Sequence, residues 1–123
     1  MTRGLAEITR LGVALGANPI TFLGLAGVGD LMLTCTGDQS RNRALGKRLV
    51  SGETAEQVVS SQNAVAEGYV IVKGVPALKE NLGIDMPIVE AVYRVFYEGS
   101  DFMEEAERLS NRASKEEFEG ILP

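Results

Sequence analysis

Apolar residues in this chain recur mostly every three or four positions, the spacing of one helix face. Leu5, Ile8, Leu11, Gly12 and Leu15 trace the first such stripe, and Gly16 stands where a left-handed residue ends a helix. Asn18-Pro19 reads as an N-cap with a first-turn proline, opening a short helix through about Leu25. A glycine-rich run over residues 24–30 leads into apolar Leu31-Met32-Leu33, and residues 34–39 are polar and turn-like. Ser40 can cap a helix to about Val50. Thr54 with Gln57 makes a capping box for a helix over residues 55–62.

Residues 69–82 carry two patterns. Tyr69-Val70-Ile71-Val72 has strand propensity, whereas Ile71, Val75, Leu78 and Leu82 share a helical face that Gly83 can end. No second strand candidate exists to pair with the first, so the segment is assigned to a helix kinked at Pro76. Asp85, Met86 and Pro87 open the next helix. Its stripe of Ile88, Val92, Val95 and Phe96 belongs in the core, and Gly99 closes it. Ser100-Asp101 caps a helix to about Arg108, and Ser114 with Glu117 suggests a final turn. The expected fold is an all-α, compact domain of about six to eight helices, without repeats or low-complexity tracts.

Composition narrows the function. At 123 residues the chain fits one domain of ~100–150 residues and has no room for a dinucleotide fold plus a substrate region. With 45% apolar and 24% charged residues it can bury a core. The absence of histidine excludes Ser-His, Cys-His and His-ligated zinc mechanisms. A single cysteine, Cys35, excludes an internal disulfide or a multi-Cys metal site, so no metal is expected. No cationic neighbour is expected to activate that thiol.

A net charge of −5 argues against a nucleic-acid partner, despite Arg41, Arg43, Lys47 and Arg48. Lys47 and Arg48 are expected to be solvated, as is an acidic face of Glu104, Glu105 and Glu107. No apolar run approaches the ~18–20 residues of a membrane span, and no signal-peptide pattern opens the chain. Cytoplasmic placement without membrane insertion is the expectation. Met1-Thr2-Arg3-Gly4-Leu5 reads as an initiator methionine joined to the middle of a longer protein. Gly24, Gly27 and Gly29 run in the reverse of the G-x-G-x-x-G order, and Gly46-Lys47 lacks the rest of a P-loop, so neither phosphate-binding fingerprint is present.

Residues 24–43 hold the densest candidate chemistry. Arginine at a helix start opposes the partial positive charge already there. An anion would remove the mismatch, and free N–H groups with Ser40, Arg41 and Asn42 suit a phosphate. The alternative is that Arg41 and Arg43 are ordinary surface charges. Asp30, between glycines and an apolar run, is expected to be partly buried and to need a partner such as an ammonium or a hydroxyl. Its alternative is a plain helix N-cap. Thr34 follows at i+4 on the same face and can line the same pocket. Glu67, between two helices, can accept from a ribose or an amide, although a solvated loop carboxylate is the commoner case.

On these residues the chain resembles bacterial-type NAD(P)-dependent glycerol-3-phosphate dehydrogenase. The match is carried by Thr2-Arg3-Gly4-Leu5-Ala6-Glu7, Gly16-Ala17-Asn18-Pro19, Gly24-Leu25-Ala26-Gly27-Val28-Gly29-Asp30-Leu31, Leu33-Thr34-Cys35-Thr36, Ser40-Arg41-Asn42-Arg43, Val65-Ala66-Glu67-Gly68-Tyr69 and Met86-Pro87-Ile88. The resemblance runs from about residue 2 to 115 and covers the helical, C-terminal substrate domain of a two-domain, 6-phosphogluconate-dehydrogenase-like enzyme.

That resemblance implies interconversion of dihydroxyacetone phosphate and sn-glycerol 3-phosphate with NAD or NADP, serving glycerophospholipid synthesis. Hydride would pass from the nicotinamide to C2 of dihydroxyacetone phosphate, with a lysine ammonium as proton donor. The family lysine lies upstream of this chain, so no catalytic residue is expected here beyond a supporting Asp30. The resemblance assigns substrate binding to Asp30, Thr34, Ser40, Arg41 and Asn42, with Arg41 on the phosphate. It assigns cofactor contacts to Arg41, Val65 and Glu67. The implied partners are the phosphate ester and a Rossmann domain absent from the chain, and a homodimer is compatible. Two other readings stand beside this one: a non-catalytic helical interaction or dimerisation module, and the helical domain of a related β-hydroxyacid dehydrogenase.

Overall fold

A computed structural model describes residues 2–36, 41–61 and 67–112, with the backbone alone for Arg41 and Glu67. The described residues form α-helices and shorter helical turns, with no strand, as the periodicity predicts. The α-helices are α1 (Thr2–Ala14), α2 (Asp30–Thr36), α3 (Arg41–Val50), α4 (Ala55–Ser60), α5 (Glu67–Ile71), α6 (Val75–Leu82), α7 (Pro87–Tyr97) and α8 (Phe102–Ser110). The expected Ser40 cap and the turn at Ser114 and Glu117 lie outside the described residues.

Local chemistry sets most of the boundaries. The Asn18 Oδ1 accepts the Ile20 N–H at 3.0 Å, but Pro19–Leu23 forms only a 3-10 turn, shorter than the helix expected. Leu25–Gly29 is a separate π-helical turn in which the Gly29 N–H reaches back to the Gly24 carbonyl at 3.3 Å. Thr54 and Gln57 make the capping box reciprocally, at 3.1 and 2.9 Å. Asp101 caps α8 through the Glu104 N–H. Residues 67–82 are helical throughout. The break comes as a 3-10 turn at Val72–Gly74, which puts Pro76 in the first turn of α6, where its missing N–H costs no bond. The helix ends at Gly83, whose φ of 62° is the left-handed conformation that glycine adopts without penalty.

The core sits where α3 and α4 meet α5, α7 and α8. Leu45, Leu49, Ala55 and Val58 are buried there, with Tyr69, Val95, Phe96 and Phe102 packed around them. Fully burying a side chain such as Leu45 or Val58 contributes roughly 1.5–3 kcal/mol. Tyr69 fixes the start of α5 against α7: its ring lies 5.3 Å from Phe96 and 4.9 Å from Tyr97, and the Tyr97 hydroxyl donates to the Tyr69 carbonyl.

α1 departs from the stripe expected of it. Ile8 and Leu15 are exposed, while Glu7 and Thr9 are buried. The helix is rotated so that Glu7 meets the start of α7, where its two oxygens accept the Ile88 and Val89 N–H groups at 3.0 and 2.8 Å. α1 also receives the 3-10 turn through Phe22. A Cβ at Gly12 would stand 2.2 Å from the Phe22 ring, and one at Gly27 would stand 2.2 Å from the Phe22 carbonyl oxygen. Both glycines are there because the phenylalanine approaches too closely for any other residue.

Two expected surface charges are partners instead. Glu105 is only 3% exposed and is bound by Arg94, at 2.9 Å through each of two nitrogens, and by Arg108 at 3.0 Å. Arg48 grips Glu53 with Nε and Nη2, at 2.7 and 2.6 Å. Guanidinium forks match carboxylates bidentately; helix packing brings Glu105 to Arg94, and the turn after α3 brings Glu53 to Arg48.

Candidate functional site

The start of α3 lies beside the start of α5, and Asn42 reaches across. The Asn42 Oδ1 accepts the Gly68 N–H at 3.1 Å, across 26 positions of sequence. One bond thus joins two stretches that the sequence singled out separately, residues 40–42 and 65–67. Arg41 opens α3 and Glu67 opens α5. First-turn N–H groups have no partner within their own helix, and the Gly68 N–H finds one in Asn42. Ser40 and Val65 lie outside the described residues.

Asp30 and Thr34 occupy a different element. Both lie on α2, four residues apart and on one face, and both are exposed. The partial burial expected of Asp30 is not observed. Nor is Asp30 an N-cap: its φ and ψ of −63° and −43° are helical, and its N–H bonds back to the Gly27 and Leu25 carbonyls. The π-helical turn runs straight into α2, so Asp30 lies inside a continuous helical path and its carboxylate faces solvent. α2 packs chiefly against that turn rather than against α3. The turn itself packs on the Pro19–Leu23 segment, and Ile20, Leu23, Leu25 and Leu33 are all exposed, Leu25 by 89%.

Cys35 is a free, exposed thiol near the end of α2. Among the described residues no cluster of His, Cys, Asp and Glu could hold a metal ion. No described helix is long and apolar enough to cross a membrane.

Sequence reasoning passed over Gly68 and Glu7. Gly68 had a signal: a glycine just inside a helix weakens it, so its presence there calls for a packing reason. A Cβ at that position would lie 2.7 Å from the Asn42 Oδ1. Glu7 had a weaker one, a carboxylate within α1 together with a helix start at Met86-Pro87 that has no side-chain cap of its own.

Comparison with known proteins shows the family. Residues 1–107 match the family model for the C-terminus of NAD-dependent glycerol-3-phosphate dehydrogenase. A glycerol-3-phosphate dehydrogenase (NAD(P)+) of Syntrophobacter fumaroxidans is 51% identical over 97% of this chain. Those of Pseudoalteromonas translucida and Lactobacillus acidophilus are 50% and 52% identical over 95% and 96% of it. In each case the chain spans 35% of the relative's length. The chain therefore belongs to the family of NAD-dependent glycerol-3-phosphate dehydrogenase C-terminal domains.

Proposed function

We propose that this chain is the substrate-gripping part of an NAD(P)-dependent dehydrogenase that interconverts sn-glycerol 3-phosphate and dihydroxyacetone phosphate for glycerophospholipid synthesis. The observation that carries the reading is the junction of α3 with α5, closed by the bond from Gly68 to Asn42. It sets a cationic, N–H-rich helix start beside a second helix start that carries a carboxylate. The first suits a phosphate monoester and the second suits hydroxyl or amide donors.

In this reading Arg41 holds the phosphate, helped by Ser40 and Asn42. Asp30 and Thr34 serve the substrate oxygen and the lysine ammonium supplied by the rest of the protein. Arg41, Val65 and Glu67 meet the edge of the cofactor, NAD or NADP. What supports an edge contact is that Arg41 and Glu67 open two neighbouring helices, α3 and α5, while the described sequence carries no dinucleotide fingerprint. When bound, the cofactor supplies the hydride; the residues of this chain bind and orient the phosphate ester, which is a positioning contribution. The exposed apolar residues of the segment 20–33 are the face we assign to a dinucleotide-binding domain. An exposed thiol at Cys35 fits a reducing, cytoplasmic setting.

Titration of the chain with glycerol 3-phosphate tests the site directly. Amide shifts are expected at residues 40–43 and at Gly68. A non-catalytic interaction module would leave them unmoved, and that result would refute the reading. The chain by itself is expected to turn over no glycerol 3-phosphate. Addition of a separately expressed dinucleotide-binding domain should restore activity, and turnover by the chain alone would overturn the division of labour.

A further inference from the structure

The Asn42 side chain has an acceptor, Oδ1, and a donor, Nδ2, and its two ends are not interchangeable here. A peptide N–H can only donate, so the contact with Gly68 at 3.1 Å must be made by Oδ1. That leaves a pure donor at Nδ2. The amide also fills the space over Gly68: a Cβ built there would meet Oδ1 at 2.7 Å, Cγ at 3.1 Å and Nδ2 at 3.4 Å. The backbone on each side is held in place. The next residue, Tyr69, is packed against Phe96 and Tyr97 and accepts the Tyr97 hydroxyl through its carbonyl, while three residues beyond Asn42 the α3 backbone is anchored by Leu45, which is buried in the core.

We propose that Gly68 is a positioning residue: it latches the Asn42 amide so that Nδ2–H, and not Oδ1, is the group presented to the phosphate of the substrate. The proposal deepens the function proposed above and rests on it. The physical consequence is selectivity for a full anion. A phosphate monoester has only acceptors to offer an N–H donor, whereas a freely rotating asparagine would equally well take a hydroxyl or ammonium donor on its oxygen. The same latch holds the start of α3, with Arg41, at a fixed separation from the start of α5, with Glu67.

Three variants in the full-length protein separate the two ends of the amide. Asn42→Asp keeps an acceptor for the Gly68 N–H but replaces the donor with negative charge. It should weaken the binding of glycerol 3-phosphate about tenfold or more, the size of one lost charge-assisted hydrogen bond, without changing Tm. Gly68→Ala should raise KM for dihydroxyacetone phosphate by a similar factor, and that effect should vanish when Asn42→Ala removes the obstructing amide. Amide hydrogen exchange supplies the readout that does not depend on substrate: the Gly68 N–H should be protected in the wild type and in Asn42→Asp, and unprotected in Asn42→Ala. If Gly68→Ala does not fold, the comparison of Asn42→Asp with Asn42→Ala decides alone. Additive effects of Gly68→Ala and Asn42→Ala, wild-type affinity in Asn42→Asp, or an unprotected Gly68 N–H in the wild type would each overturn the latch. Failure of the wild-type protein to bind glycerol 3-phosphate would overturn the site itself, whatever the exchange pattern.

Discussion

Glu7 is 2% exposed, yet its carboxylate is aimed at the first turn of α7, a helix that has no cap of its own at Met86. Replacement by alanine would strip both acceptors from the Ile88 and Val89 N–H groups. Loss of a cap costs about 0.5–2 kcal/mol, and loss of one buried methylene roughly 0.8 kcal/mol. Part of this is offset, because burial, the largest influence on this carboxyl, pushes its pKa above the ordinary 4.5 against the pull of the two N–H bonds and of Arg10. The charge is therefore held at some cost. The net expectation for Glu7→Ala is a destabilisation of about 1–2 kcal/mol at pH 7. Glu7→Gln retains an acceptor and loses the charge, so it should cost less than about 1 kcal/mol.

The pH dependence has a definite sign. With a raised native pKa the folded chain binds more protons than the unfolded one, so Glu7 lowers stability as pH rises from about 4.5 through its native value, and no further above it. Glu7→Gln should remove that slope. Urea unfolding followed by far-ultraviolet circular dichroism, between about pH 4 and pH 8, measures both effects. A cost below about 0.5 kcal/mol for Glu7→Ala, with the Ile88 and Val89 amides still protected from exchange, would mean that water caps α7 equally well and would refute the reasoning.

Four further outcomes are expected. Glu105→Ala, which frees Arg94 and Arg108 from a buried carboxylate, should cost about 1–3 kcal/mol in the same unfolding assay. The hydrogen bonds from Arg94 hold the pKa of Glu105 below 4.5, so its contribution is present above that value and is lost as pH falls through the lowered native one, the reverse of Glu7; a wild-type acid slope in Glu105→Gln would contradict this. Gly12→Ala drives a methyl into the Phe22 ring and should destabilise by about 1–3 kcal/mol, a loss that Phe22→Leu should partly relieve; equal losses in both backgrounds would show that the two do not touch. In the full-length protein Arg41→Ala should lower phosphate-ester affinity by about 1.5–3 kcal/mol, and an unchanged KM for dihydroxyacetone phosphate would remove Arg41 from the site.

Much of the fold was legible in the sequence because its signals are local. The Thr54–Gln57 box, the Asp101 cap and the left-handed Gly83 involve partners no more than four residues apart, so the order of residues alone specifies them. The all-helical class follows from periodicity in the same way. The ambiguous segment 69–82 was settled by the lack of any strand to pair with it, and the backbone agrees. The candidate site was legible only as two separate stretches, around Arg41 and around Glu67.

Only the tertiary structure decided which faces turn inward and which charges meet. Periodicity gave α1 a stripe of leucine and isoleucine, but docking on α7 rotated the helix until Glu7 was buried and Ile8 was exposed. Glu105 read as one of three solvated acids until α7 brought Arg94 to it from 11 residues away. Asp30 read as a carboxylate in need of a partner, yet the π-helical turn before it places it on the surface. The bond from Gly68 to Asn42 spans 26 positions. Caps and turns are written into neighbouring residues because a few dihedrals determine them. Pairings between distant helices depend on how those helices pack, and no local pattern of side chains encodes that geometry.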